Sequence, residues 1–407
     1  MIKNIIKTLF SNVSSLIISF ITSVIIARVL GPEGNGQLGA IILIPSTLYI
    51  VLSGQYFGDS QYFTKKGEYS KEFMISSSLL IYAVLTIVEI VMIFSYCIFS
   101  NIPNLVFVIL MIVVLNLNLF VMPFLIAIDQ IKAKNLLTVA SAMLNAAQMI
   151  MLMIIWKDKI TVQKVVITQL TTFAVIDLIG MYIILKKKSN KLDFSIRKNF
   201  EIIKSIFGFV KSCYISNVAN FLNFRLDQWL LILIKGNVSL GIYSVAVNLA
   251  EKLWIIPDSI AAILYPEISS RDEYSKVIKS INKVIVMGLI IGGIGWILTF
   301  LVLDTLVILV YTKAYISVSN VIKILFPGIV MFSISKIITC FLSGIGKPEL
   351  RVIPSVVGTV SNLILNIIMI PKWGIYGAAI STTISYSIYG VWILIVYINI
   401  SKKYMIK

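Results

Sequence analysis

Ionisable side chains stand inside long apolar runs of this sequence at Glu89, Asp177, Lys211, Arg225, Asp227, Glu251, Lys252, Asp258, Lys323 and Lys336. At the centre of a bilayer each such charge costs roughly 2.5–3.5 kcal/mol. Groups kept there either pair with one another and hold helices together, or line a polar path. Glu89 and Asp177 are the deep charges of the first half, whereas the cations all lie in the second, beside Asp227, Glu251 and Asp258. Complete pairing therefore calls for ion pairs between the halves. Glu89, Asp177, Asp227 and Glu251 are the candidates for such pairs or for carrying a coupling ion.

The run FLNFRLDQWLLILI, Phe221 to Ile234, poses the question most directly. On a helix turning about 100° per residue, Arg225 and Asp227 project roughly 200° apart and do not pair. Lys211 falls within about 40° of Arg225 on one face, roughly 21 Å away along the axis. Asp227 falls with Asn220 and Asn223 on another. This helix is expected to touch two polar environments: a cavity for Lys211 and Arg225, and an adjacent helix or a coupling cation for Asp227. Glu251 and Lys252, about 100° apart, need separate partners. Lys323 can snorkel to the outer interface, whereas Lys336 is deeper. Pro327-Gly328, between them, predicts a kink or hinge.

Other chemistries are excluded. Histidine is absent, which removes histidine triads, bases and metal ligands. Cys97, Cys213 and Cys340 are far apart within apolar runs and imply no disulfide framework. No GxxxxGK[ST] loop occurs, so this chain does not hydrolyse ATP. No catalytic residue, bound cofactor or metal site is expected.

The elements that position these charges are helices long enough to cross a membrane. The 407 residues are 58% hydrophobic and 13% charged, against about 25% charged in soluble domains. Apolar windows predict spans near 9–30, 38–57, 74–99, 104–128, 136–156, 163–185, 205–234, 241–265, 281–303, 318–344, 350–370 and 376–400. Lys3 and Lys7 precede the first without a small-residue cleavage site after it, so it reads as a retained helix. Lysine and arginine concentrate in alternate connections, on the side of both termini, which are therefore expected to be cytoplasmic. The net charge of +17 is explained by segments such as KKKSNKLDFSIRK lying against an anionic leaflet, with no nucleic acid needed.

A faint repeat divides the chain. Ser11-Asn12-Val13 recurs as Ser216-Asn217-Val218, and at the same offset Gly31 and Gly36 match Gly236 and Gly241. Asn145 and Trp156 correspond to Asn362 and Trp373. The expected organisation is an all-α integral membrane protein of about 12 helices: an N-terminal lobe at 1–185, a basic cytoplasmic connector at 186–204 and a C-terminal lobe at 205–407. Both halves begin on the same side, so the repeat is parallel, with six helices per lobe around a central cavity, as in transporters.

The segments ARVLGPEGNGQLGAIILIPSTL at Ala27–Leu48, NFRLDQWLL at Asn223–Leu231, GIYSVAVNLAEKLWIIPDSIAAILYPEIS at Gly241–Ser269 and PKWGIYGAAISTTISY at Pro371–Tyr386 resemble the polysaccharide repeat-unit flippases. These are the oligosaccharide-lipid branch of the multidrug/oligosaccharidyl-lipid/polysaccharide exporter superfamily, and they match in chain order. The resemblance implies a MATE-like fold of two lobes in a V. It also implies translocation of undecaprenyl-pyrophosphate-linked oligosaccharide to the outer leaflet of a bacterial cytoplasmic membrane by alternating access. Partners would be membrane lipid, the lipid-linked glycan, and the polymerase and glycosyltransferases of surface polysaccharide synthesis. Arg225 and Lys211 would then form a cationic rail for the diphosphate, since the arginine fork binds two oxygens at once. Lys336, Lys252 and Arg28 are further candidates, Arg28 being equally placed for an interface anchor. Asn12, Asn145, Asn217 and Asn362 could meet sugar hydroxyls or, more commonly, other helices. A proton or sodium gradient, or the membrane potential, would drive the cycle, with Glu89 or Asp177 exchanging the ion. Two rivals stand beside this reading. A multidrug antiporter of the same fold would want an anionic cavity, and a membrane glycosyltransferase or polymerase would want a large outer loop bearing carboxylates.

Overall fold

The computed structural model describes residues 2–53, 70–97, 104–156, 159–186, 196–269 and 274–405, with side chains not described at 2–7, 9, 53, 71, 196–213, 262, 266, 267, 269 and 405. The elements in order are α1 (Ile2–Ser53), α2 (Lys71–Cys97), α3 (Leu105–Ala127), α4 (Ile131–Trp156), α5 (Val162–Lys186), α6 (Ile196–Glu251), α7 (Ile255–Ser269), α8 (Ser275–Val310), α9 (Ile316–Gly344) and α10 (Val352–Met405). Short 3-10 turns at Lys252–Trp254, Lys313–Tyr315 and Pro348–Arg351 precede α7, α9 and α10. Among the described residues there is no strand, and nine stretches are long and apolar enough to cross a membrane.

Nine continuous helical stretches are fewer than the expected twelve spans, and the difference lies at three glycines. Backbone angles inside α1, α6 and α10 leave the helical region at Gly31 (φ 65°, ψ −179°), Gly236 (φ 79°, ψ −172°) and Gly374 (φ 55°, ψ −129°). Each glycine falls between two expected spans. Pro32 follows Gly31 directly, a position where its missing N–H would have had no helical partner in any case. In α6 the contacts Arg225–Glu251 and Asp227–Tyr243 straddle Gly236, so its arms fold back on one another. Asn362–Thr382 and Asn362–Ser385 do the same around Gly374.

The chain divides into two compact units, Met1–Tyr214 and Ile215–Lys407. In the first, α3 is the buried element: Phe120, Phe124 and Leu125 pack with Tyr49, Met74, Leu137 and Ile176, and Met111 and Ile112 with Ile26, Ile41, Met149 and Val165. In the second, α9 holds that place, with Val318, Val321, Leu325, Phe332, Ile338 and Phe341 all buried. Helix α8 exposes Val286, Ile290, Ile291, Ile297 and Leu301, which is the lipid-facing surface of a membrane helix.

Related hydrogen bonds recur in the two units. Ser11 donates to the carbonyl of Asn135 (2.8 Å) and Ser15 to that of Thr138 (3.3 Å), joining α1 to α4. Ser216 and Ser355 share a bond of 3.0 Å, and Thr359 donates to the carbonyl of Ala219 (2.6 Å), joining α6 to α10. Ser11 and Ser216 are the repeat-related pair noted above.

Pro327-Gly328 is not a break: α9 runs through it. Proline lacks the N–H that would have bonded the carbonyl of Lys323, and the indole N–H of Trp296 on α8 donates to that carbonyl instead (2.8 Å). Gly328 lets α10 approach, since a Cβ there would lie 2.7 Å from the Cα of Thr383. The expected hinge is thus a close helix crossing.

The angles at Gly31 and Gly236 belong to a region only glycine enters freely, costing other residues about 1–3 kcal/mol. A Cβ at either meets nothing within 4 Å, so the cost is backbone strain alone. Gly31→Ala and Gly236→Ala are each expected to lower stability by about that amount in thermal unfolding. Gly293→Ala, helical and equally open, should be neutral or stabilising.

Candidate functional site

The second unit answers the question raised by Arg225 and Asp227. The guanidinium of Arg225 donates to both oxygens of Glu251 at 2.8 and 3.2 Å, and also to the carbonyl of Phe224. Asp227, 1% exposed, turns the other way. It accepts from the hydroxyl of Tyr243, from Thr382 (3.0 Å) and from the backbone N–H of Gln228 (2.7 Å). Behind it Asn362 donates to Thr382 (3.4 Å) and Ser385 (3.3 Å), Asn366 donates to Asn362 (2.8 Å), and Ser385 donates to Asn223 (2.9 Å). The two faces of the helix therefore meet two environments, and on both the partners are helices of the same unit.

Two more of the deep cations pair in the same way. Lys336 reaches both oxygens of Asp258 (2.8 and 2.9 Å) and lies 4.7 Å over the ring of Trp254. Lys323 meets Asp304 at 2.8 Å, where the sequence suggested snorkelling alone. Arg225–Glu251, Lys336–Asp258 and Lys323–Asp304 all form within the second unit, so Glu251 meets its cation there and not in the other half. Lys252 is partly buried in the 3-10 turn after α6. The side chain of Lys211 lies outside the described residues.

Glu89 and Asp177 have no basic partner among the described residues. Each is fully buried and gripped by an asparagine of α3: Asn116 donates to Glu89 (2.9 Å) and Asn118 to Asp177 (2.7 Å). One oxygen of each carboxyl is buried without any hydrogen bond. Arg28 is exposed one turn before Gly31, and Asn12 is exposed on α1.

A cavity of about 250 Å³ opens in the second unit, lined by Asn217, Asn220, Phe221, Phe224, Phe332, Lys336, Thr339, Arg351 and Tyr389. It gathers Lys336 and Asn217, two sequence candidates, with Arg351, which the sequence reading passed over. Arg351 closes the 3-10 turn Pro348–Arg351. Among the described residues it has no carboxylate partner, and its Nε is buried without a hydrogen bond. Aromatic rings form the opposite wall. Phe332 stacks on Tyr389 with centroids 5.1 Å apart, and Phe224 meets Phe332 edge-on at 5.1 Å, with Trp254 and Tyr386 behind. A partly compensated lysine, an arginine without a counter-charge, amides, a hydroxyl and rings make a site for an anion carrying a polar or ring-shaped group. Arg351 escaped notice because it stands at the edge of a span, where a cation reads as a topology signal. The repeat would have flagged it: at the offset relating Asn145 to Asn362, Arg351 corresponds to Lys134, so both halves carry a cation there.

Residues 1–271 match the family described as "Polysaccharide biosynthesis protein". The chain belongs to that family. Among relatives in this polysaccharide biosynthesis group, the capsular polysaccharide biosynthesis protein CapF of Staphylococcus aureus is 24% identical, over 95% of this chain and 96% of its own. The probable low-salt glycan biosynthesis flippase Agl15 of Haloferax volcanii is 26% identical over 52% of this chain, a match spanning 46% of that relative's length. In fold the chain resembles an inward-facing MATE-family multidrug transporter of the MOP superfamily (TM-score 0.76, 16% identity, 96% of this chain and 95% of the other). It also resembles the lipid II flippase MurJ in an inward closed conformation (TM-score 0.72, 18% identity, 100% and 91%). The polysaccharide biosynthesis chain is thus a multi-pass membrane protein of the MATE/MurJ fold.

In this family member the Arg225–Glu251 pair is expected to be a structural clamp. Arg225→Met leaves Glu251 stranded and should cost about 2–3 kcal/mol in thermal unfolding, less than a fully buried pair because some solvent reaches it. Arg225→Met with Glu251→Leu should recover most of that loss.

Proposed function

We propose that this protein translocates undecaprenyl-diphosphate-linked oligosaccharide from the cytoplasmic to the outer leaflet for surface polysaccharide synthesis. It makes and breaks no covalent bond, and it works by alternating access. The observation that carries the reading is the cavity holding Arg351 without a counter-charge beside Lys336. A diphosphate needs planar bidentate donors and a second cation, and these residues supply both. Asn217, Asn220 and Tyr389 suit the sugar next to it, by hydrogen bonding and by stacking. On the topology expected from the lysine and arginine bias, with cytoplasmic termini, Arg351 lies at the cytoplasmic end of its helix, where such a substrate is loaded. Arg351 takes the place first assigned to Arg225, whose guanidinium is bound on both arms by Glu251, whereas Lys336, though paired with Asp258, lines the cavity.

The cycle needs an energy source. Glu89 and Asp177, each with a carboxyl oxygen lacking a partner, fit exchange of a proton or sodium ion, and Asp227 offers a second oxygen cluster in the other unit. The membrane potential acts on the charge of the substrate. Polymerase and glycosyltransferases of the same membrane supply and consume the glycan. An organic cation suits the arginine cavity poorly, which sets the multidrug reading aside.

The test is flipping of a fluorescent undecaprenyl-diphosphate oligosaccharide in proteoliposomes. Arg351→Ala is expected to lower the initial rate by about 10–100-fold, the value of one or two charge-assisted hydrogen bonds. Lys323→Ala, whose pair with Asp304 lies away from the cavity, should leave the rate near wild type. A folded Arg351→Ala protein that flips normally removes this site. A wild-type protein that moves a labelled organic cation and not the glycolipid removes the function.

A further inference from the structure

The first unit contains a second cavity, of about 410 Å³, between α1, α3, α4 and α5. Its wall carries no lysine, arginine, aspartate or glutamate. Its polar groups are hydroxyls and amides, and its apolar faces are Ile26, Met122 and Phe173. Ser19, Ser141, Asn145 and Gln169 line it and make no hydrogen bond to protein among the described residues. An amide or hydroxyl at membrane depth without a partner is costly, and Asn145 stands near the middle of α4. Other wall residues are spent locally: Ser15 on the carbonyl of Thr138, Thr22 on that of Ile18, and Thr172 on Gln148. Asn118 uses its amide N–H on Asp177.

The repeat sharpens the point. Thr22 and Asn145 stand at the offsets that relate the two halves, and their counterparts are Asp227 and Asn362. In the second unit those counterparts both bond Thr382 and join a buried network. In the first unit Thr22 and Asn145 face a cavity within the size range of small-molecule sites. The unit keeps open, and neutral, a position that its sister fills.

We propose that this cavity is a subsite for an uncharged, hydroxyl-rich ring, a neutral sugar of the transported glycan. This rests on the function proposed above and concerns a sugar beyond the one next to the diphosphate. Hydroxyls and amides both donate and accept, as a pyranose requires, while Phe173 and Met122 meet its C–H faces. The absence of a cation on the wall leaves an acidic sugar or a phosphate without a counter-charge.

The test measures binding to the full chain in lipid nanodiscs of three probes: undecaprenyl diphosphate, its conjugate with a neutral N-acetylglucosamine oligosaccharide and its glucuronic acid conjugate, an oligosaccharide of the same length. Wild type should bind the N-acetylglucosamine conjugate about tenfold more tightly than the bare lipid diphosphate and than the glucuronic acid conjugate. Asn145→Leu and Ser141→Ala should each reduce that advantage while leaving affinity for the bare lipid diphosphate unchanged, which also reports correct folding. Arg351→Ala should weaken all three probes. If wild type binds bare and neutral-sugar probes equally, or if Asn145→Leu keeps the sugar advantage, the subsite is refuted and the diphosphate site stands. Equal binding of the acidic conjugate refutes its neutrality. Failure to bind any probe overturns the proposed function and the subsite with it.

Discussion

Hydrocarbon offers no hydrogen bonds, and each polar group that enters it must bring its partner along. Several groups of the second unit obey this. The carbonyl freed by Pro327 finds the indole of Trp296, Asp227 collects a phenol, a hydroxyl and a backbone N–H, and Glu251 takes both arms of a guanidinium. Where so much is satisfied, the exceptions carry information. Among them are the Nε of Arg351, one oxygen each of Glu89 and Asp177, and the hydroxyls and amides that line the cavity of the first unit. Solvent, ions or substrate must complete these groups, and transport requires such incomplete places.

The two units share a plan and differ in how they use it. Both break their first helix at a glycine in nearly the same backbone conformation, and both tie that helix to a later one through serine or threonine hydroxyls. The second unit gained charge: Asp227 where the first has Thr22, and Arg225 where it has Phe20. Each addition required a partner on a neighbouring arm, and the unit closed around those partners. At those positions the first unit has Thr22 and Phe20, and Thr22 lines a cavity.

Much of this was legible in the sequence, for physical reasons. Helical projection alone separates Arg225 from Asp227, because local geometry fixes direction whatever surrounds it. The matched glycines mark the breaks because few other residues tolerate those angles. Partners were not legible, since the mate of Arg225 depends on how the chain folds back at Gly236. A count of charges per half says nothing of which arms adjoin, and Glu251 finds its cation on the arm before it. Pro327-Gly328 looked like a hinge because proline removes a helical bond, and only the structure supplies the tryptophan that replaces it. Asn145 and Asn362, equivalent in sequence, went separate ways, one to a cavity and one to a network. No local rule distinguishes them.

The folding back of α6 bears on how the chain enters the membrane. Taken alone, the arm bearing Arg225 and Asp227 is a poor candidate for release into lipid, with two ionised groups at depth. The groups that answer them, Glu251 and Tyr243, arrive on the very next arm, beyond Gly236. Insertion therefore proceeds most easily as a hairpin, the first arm waiting in the aqueous channel of the translocation machinery until about twenty-five further residues have been synthesised. The glycine that shapes the finished protein also sets the timing of its assembly.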